Sequence, residues 1–427
     1  LLPWLLGGAV GLGGILQGLH WRSAATNSGL ADLETQLRIA VEENALLKRE
    51  NESLRSLAQG GGELAVPQEL LDRVEKEFGL RFLSSPVVHR IASEELRDRV
   101  AAAIESRFGP SGIDDRQEAY RLLGFLGPDD DLLGQLTVVR TVGARGWFDD
   151  VSGEGWVTDR FEDDSIPDQA TLVRLLTRIL LNQHFPPPPA YPGDDAARAR
   201  EALHQGAASG AEARYYAASA RAIGFVPMKE NPDVEQLFAS LPSFIQGLTT
   251  FPVIEGKGLA DTLHVQGNDP FHAAFRNPPQ TTRAIFLPAE PAAAPPALEL
   301  PAPPEEPYLS ENAGQLGLRL WLEPLGDVGE ALEISSCWQN DRYLLLPDGE
   351  ASTAVVWDLV LETAESADRL QAAMLNFIAA SAELDEIPTP GETVETSGER
   401  LLTLRRVSPT RVRFLNTATR ELAGAFQ

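Results

Sequence analysis

The chain has 427 residues, 43% hydrophobic and 23% charged, a composition that fits folded domains and excludes a disordered chain. Its formal net charge of −26 makes nucleic acid an unfavourable partner, because phosphate would be repelled. A single cysteine, Cys337, excludes an internal disulfide framework and a multi-cysteine metal site, and no two of the six histidines stand three or four residues apart.

Residues 1–19 carry no charge and as a helix would reach about 28 Å, close to the thickness of a hydrocarbon core. Gly7, Gly11, Gly14 and Gly18 form a small-residue ridge on which another membrane helix could pack. The expectation is a single-pass transmembrane anchor over residues 1–22, with a signal-peptide core as the alternative. Residues 28–59 then offer four heptads. Leu30, Leu37, Asn44 and Asn51 take the a positions, and Leu33, Ala40, Leu47 and Leu54 take the d positions. This pattern predicts a short coiled coil and a homodimer, the two Asn fixing register at some cost in stability. One amphipathic helix lying on the globular body or on a partner would have the same pattern. Gly60, Gly61 and Gly62 follow as a flexible joint.

Residues 64–290 read as a mainly helical domain. Pro67 and Glu69 mark a helix start, and helical patterns recur over 94–108 and 116–126. Residues 146–149 and 154–159 read as a hairpin leading into a helix at 170–185, with Asp168 as its N-cap. Leu172, Val173, Leu176, Ile179 and Leu180 recur at three- and four-residue steps, which predicts one buried face. Arg174 and Arg178 stand one turn apart on that helix. Prolines 186–189 stiffen the chain after it.

A proline-rich stretch, residues 291–308, reads by composition as an extended segment of the kind that links domains. Residues 309–427 read as an α+β module: strands over 342–346 and 354–362, a helix over 366–382, a hairpin of 401–406 with 411–415, and a closing helix over 417–426. Trp321, Trp338 and Trp357 are expected in its core. Walker-type phosphate loops, dinucleotide fingerprints and G-x-S-x-G elbows are missing throughout.

The runs GWFDD, GEGWVTD and DQATLVRLLTRILLNQHF, in that order, resemble a bacterial zincin-like metallopeptidase family. The corresponding helix of that family reads roughly A-T-L-V-H-E-L-T-H-A-L-Q-D-Q-H-F. ARAREALHQGAASGAEARYY resembles its second helix, which carries an E-G-D-A motif. LPSFIQGLTTFPVIEGKGLADTL, FRNPPQTTRAIFLP, GQLGLRLWL and CWQNDRYLLL resemble later landmarks, so the likeness extends over residues 70–375.

The resemblance implies a zincin-like fold, here α+β: a mainly helical body followed by the C-terminal α+β module. It also implies what has been lost. The first zinc-binding histidine falls on Arg174, the glutamate base on Leu175, the second histidine on Arg178, and the third ligand on Gln205. Guanidinium offers a metal no lone pair, and a leucine cannot deprotonate water. The expectation is therefore no metal, no cofactor and no catalysis. Arg174 and Arg178 are expected to pair with buried carboxylates such as Glu201 or Glu212, or to bind an anionic group of a partner. His184 is expected to be a scaffold residue bonded within the helix end.

The function this implies is that of a membrane-anchored pseudo-peptidase with an extracytoplasmic body, an accessory or scaffold subunit that binds other membrane-complex proteins. An active hydrolase rebuilt around His184 and His204, and a spacer whose coiled coil is the working part, are the alternatives.

Overall fold

The computed structural model describes residues 62–109, 112–188, 190–223, 232–288, 295, 298–350 and 352–426. The expected membrane anchor and coiled coil lie outside these residues. The described chain is α+β, with one three-stranded and one six-stranded sheet. It forms two compact units: residues 62–100, 140–186 and 208–236 in the first, and 101–139, 187–207 and 237 onward in the second.

In the first unit, helix α1 (Gln68–Phe78) begins after Pro67 and ends at Gly79, whose left-handed φ of 63° lets its N–H cap Glu75 O. Leu70, Val74 and Phe78 recur every four residues and are buried. Strand β1 (Val88–Ile91) pairs parallel to β3 (Glu154–Thr158), which pairs antiparallel to β2 (Gly146–Asp149). β2 and β3 are the predicted hairpin. β1 has no counterpart among the sequence expectations.

Helix α5 (Ile166–His184) packs on this sheet; three helices in chain order separate it from α1, namely α2 (Ser93–Phe108), α3 (Gly112–Leu123) and α4 (Leu132–Thr141). Prolines stop it at Phe185. The expected single buried face is a correction: every residue from 170 to 181 is buried except Arg174. On the sheet side, Gly146 and Gly155 remove side chains and let Thr171, Leu175 and Ile179 sit directly against the strands. Asp168 is not the N-cap. Ser165 holds that position, and Asp168 lies inside the first turn, where it accepts from Glu162 N at 3.0 Å and from Arg145 Nη1 at 2.6 Å.

In the second unit the six-stranded sheet runs β4-β5-β6-β9-β8-β7, antiparallel throughout. Its long strands are β5 (Trp338–Pro347), β6 (Thr353–Leu361), β8 (Leu401–Ser408) and β9 (Arg411–Thr417); β4 (Leu309–Glu311) and β7 (Thr393–Glu395) are the short edges. Tyr343, Trp357, Phe414 and Leu404 stand opposite one another across four strands, with Trp321, Phe125 and Phe377 packed edge-on or tilted nearby. Trp321, Trp338 and Trp357 are core, as expected.

The opposite face carries Leu344, Leu346, Ala354, Val356 and Leu415, covered by Leu422, Phe426 and the proline-rich segment's Leu300. Burial on both faces explains why β6 reads as an almost unbroken apolar run. Glu299 O also accepts from Arg411 Nη2 at 2.8 Å, so this end of the proline-rich segment is a bonded strap. The closing helix is shorter than the expected 417–426: β9 extends through Thr417, and Thr419 caps Arg420–Ala425.

Candidate functional site

Arg174 and Arg178 project from α5 within the first unit, and each meets a carboxylate. Arg174 Nε lies 3.2 Å from Glu212 Oε2, on the second half of helix α6 (Asp194–Ile223), and Arg174 Nη2 donates to Gly146 O at 3.2 Å. The Nε–Oε2 contact is an ion pair without hydrogen-bond alignment. Thr171 Oγ1 adds a long bond of 3.4 Å to Glu212 Oε1. Burial pushes the Glu212 carboxyl up to about 7, against the opposing pull of Arg174 and Thr171.

Arg178 pairs with Asp150 on the β2–β3 turn, and its guanidinium lies 5.0 Å from the Phe148 ring centre. Glu212 was one of the two partners expected from sequence. Asp150 was not, since a turn residue 28 positions upstream gives no periodic signal.

Leu175, at the position the resemblance gives to the glutamate base, is fully buried against Gly146 and Gly155. Gln205 lies on α6 in the second unit. The residues present do not fit zinc: Arg174, Arg178 and Leu175 offer it no lone pair, and the amide of Gln205 is a poor ligand. Among the described residues no group of three or more His, Cys, Asp or Glu is placed to hold a metal ion.

The remaining landmarks have structural partners. Gln183 accepts from Leu83 N at 2.8 Å and donates to Ser84 O at 3.0 Å, and His184 Nε2 contacts Arg81 O at 2.7 Å. His184 thus holds the preceding loop, a correction to the expected bond within the helix end. His204 is buried edge-on to Phe275, ring centres 4.8 Å apart.

Gly206 of α6 faces the backbone of Gly256, in the π-turn Pro252–Gly256; a Cβ on Gly206 would fall 2.2 Å from Gly256 C. Thr282 Oγ1 donates to Asp195 and accepts from Leu316 N, and Asp341 accepts from Ala313 N, Gly314 N, Trp338 Nε1 and Trp357 Nε1. Segments quoted separately as landmarks therefore meet within the second unit.

That unit also contains a buried ion cluster the sequence did not reveal. Arg116 donates to Asp194 Oδ1 through Nε at 3.0 Å and Nη2 at 2.8 Å, and to Glu311 Oε1 at 2.8 Å. Tyr120 and Tyr191 hydroxyls donate to the Asp194 carboxylate, and Asp194 N donates to Glu311 Oε2. Burial opposes charge on Asp194, yet Arg198 and Arg116 outweigh it and hold the carboxyl below its ordinary range. Asp195, one residue on, is pushed up to about 7 by burial, the Thr282 donors notwithstanding. A cavity of about 450 Å³ in this unit is lined by Asp114, Asp115, Glu118, Arg121, Tyr308 and Thr353, among others, and contains none of the sequence-nominated residues.

The nominated glycines Gly7, Gly11, Gly14 and Gly18 and the heptad residues Leu37, Asn44, Leu47, Asn51 and Leu54 lie outside the described residues. Among the described residues no single helix is long and apolar enough to cross a membrane. A family described as "Domain of unknown function (DUF8575)" matches residues 306–425, from β4 to the closing helix. No curated protein and no solved structure matches the chain.

Proposed function

We propose that this protein is a non-catalytic, zincin-like protein that acts by binding, as an accessory or scaffold subunit of a membrane-associated assembly. Residues 1–22 serve as its membrane anchor, and its body lies on the extracytoplasmic side. The observation that carries the loss of catalysis is the occupancy of the three helix positions. Arg174 is paired with Glu212, Arg178 with Asp150, and Leu175 is core. Groups committed in this way supply neither lone pairs for a metal nor a base for water. The meeting of the landmark residues Gly206 with Gly256, and of Thr282 and Asp341 with the segment beginning at Ala313, supports the family resemblance on which the reading rests.

The test is peptide hydrolysis by the detergent-extracted full chain, with zinc supplied and then removed by a chelator. The expected result is no turnover above the Arg174→Ala/Arg178→Ala control under either condition. Cleavage that a chelator abolishes and zinc restores overturns the proposal.

A further inference from the structure

The face of the six-stranded sheet that carries Leu344, Val356 and Leu415 changes character two residues further along each strand. Arg342 of β5, Asp358 of β6, Arg413 of β9 and Arg405 of β8 stand directly opposite one another there, in a straight row across four strands. Arg411 lies two residues from Arg413 and so on the same side. The row and its neighbour bring four guanidiniums to one carboxylate, in a chain whose formal charge is −26.

Three of the four arginines have partners. The buried Asp358 carboxylate accepts from Arg413 Nε at 2.7 Å and Nη2 at 2.9 Å, and from Arg411 Nε at 3.0 Å. Arg413 Nη1 donates to Phe426 O at 2.9 Å, and Arg342 Nη1 to Ser310 Oγ at 3.0 Å. Arg405 differs. Its Nε is enclosed without a hydrogen-bond partner, and among the described residues no carboxylate pairs with it. The residue directly opposite it is Arg413, and like charges opposed across two strands destabilise a sheet. Asp358 is taken up by Arg411 and Arg413, so the chain leaves the charge on Arg405 uncompensated. Arg342, Arg405 and Arg411 are each half-buried, so the row still meets solvent.

We infer that this row is a binding site for a phosphate group, held between Arg405 and Arg413 with Arg411 beside them. Arg413 uses three of its five N–H donors on Asp358 and Phe426 O, which leaves two for a ligand. The forked guanidinium of Arg405 supplies a second set of donors, in the geometry that matches a multiply charged oxyanion. A phosphate there replaces the repulsion between Arg405 and Arg413 by two charge-assisted contacts. Its source is either a free phosphate ion or the phosphate of a lipid headgroup. The inference stands apart from the loss of zinc chemistry, since the row lies in the second unit and includes neither Arg174 nor Arg178.

The test is titration calorimetry of the full chain in detergent with inorganic phosphate at constant ionic strength. Arg405→Gln is compared with Arg369→Gln, which removes the same charge from the helix Ala364–Ser381, outside the row. The expected result is one saturable site per chain, weakened at least about tenfold by Arg405→Gln and unchanged by Arg369→Gln. Arg405→Lys keeps the charge without the fork and should fall between. Glycerol 3-phosphate binding more tightly than inorganic phosphate identifies a headgroup as the occupant, and weaker binding identifies the free ion. No saturable binding, or equal affinity in Arg405→Gln and the unaltered protein, would overturn the inference. Thermal unfolding in phosphate-free buffer separates binding from structure. Arg405→Gln should unfold no lower than the unaltered protein, because it relieves the repulsion with Arg413; a lower transition makes Arg405 a structural residue and also overturns the inference.

Discussion

Two buried arginine clusters, one in each unit, handle the same electrostatic problem differently. Around Asp194, three nitrogen-to-oxygen bonds from Arg116, the guanidinium of Arg198 and the hydroxyls of Tyr120 and Tyr191 surround one carboxylate, whose acidity is raised despite burial. Around Glu212, one unaligned arginine contact and one long threonine bond leave burial dominant, and the carboxyl titrates at about 7. Two guanidiniums and several aligned donors keep one buried acid charged, where a single unaligned arginine does not keep the other so. The Asp194 cluster is structural in every bond it makes. The Arg174–Glu212 pair leaves its buried carboxyl short of donors.

The contrast breaks most visibly at Asp194. Asp194→Asn leaves Arg116 and Arg198 without their charged partner, and should cost about 3–5 kcal/mol in denaturant unfolding. The pH dependence comes next. Glu212 rises from 4.5 to about 7 on folding and Asp195 from 3.8 to about 7, so the folded chain keeps protons that the unfolded chain releases. Their contribution is complete below the unfolded values and is lost as pH rises through about 7. At about 1.4 kcal/mol per unit, Glu212 accounts for up to roughly 3–4 kcal/mol and Asp195 for up to roughly 4–5 kcal/mol. Glu212→Gln should flatten its share of an unfolding-versus-pH curve.

Arg174→Met should cost about 1–3 kcal/mol, less than Asp194→Asn because Glu212 can escape by taking a proton. The double variant Arg174→Met/Glu212→Leu should recover most of that loss, read as coupling in a double-mutant cycle. Smallest is Asp150→Asn, which should cost under about 1 kcal/mol since the Asp150 side chain is 34% exposed.

Much of the local structure was legible. The α5 helix, though not its single buried face, the β2–β3 hairpin and the β5–β6 and β8–β9 pairs all form, because alternation and turn residues are contained within each segment. β1 was not legible: four residues paired in parallel to a strand more than sixty positions away leave no local pattern. Glu212 was named as an arginine partner because it lies on the helix likened to the family's second helix. Asp150, Arg116 and Glu311 were missed because their pairings depend on how distant segments meet. Asp168 has the chemistry of an N-cap, yet the helix starts earlier, at Ile166, and the side chain is used by Arg145 instead.

The central claim is that the arginine positions of α5 are closed by ion pairs and do not hold metal. The most direct measurement is the zinc content of the purified full chain after dialysis against excess zinc and then against metal-free buffer. The account predicts no stoichiometric zinc, in the unaltered protein and in Arg174→Ala/Arg178→Ala alike. One tightly held zinc per chain in the unaltered protein, lost on substitution of His184 or His204, would contradict it.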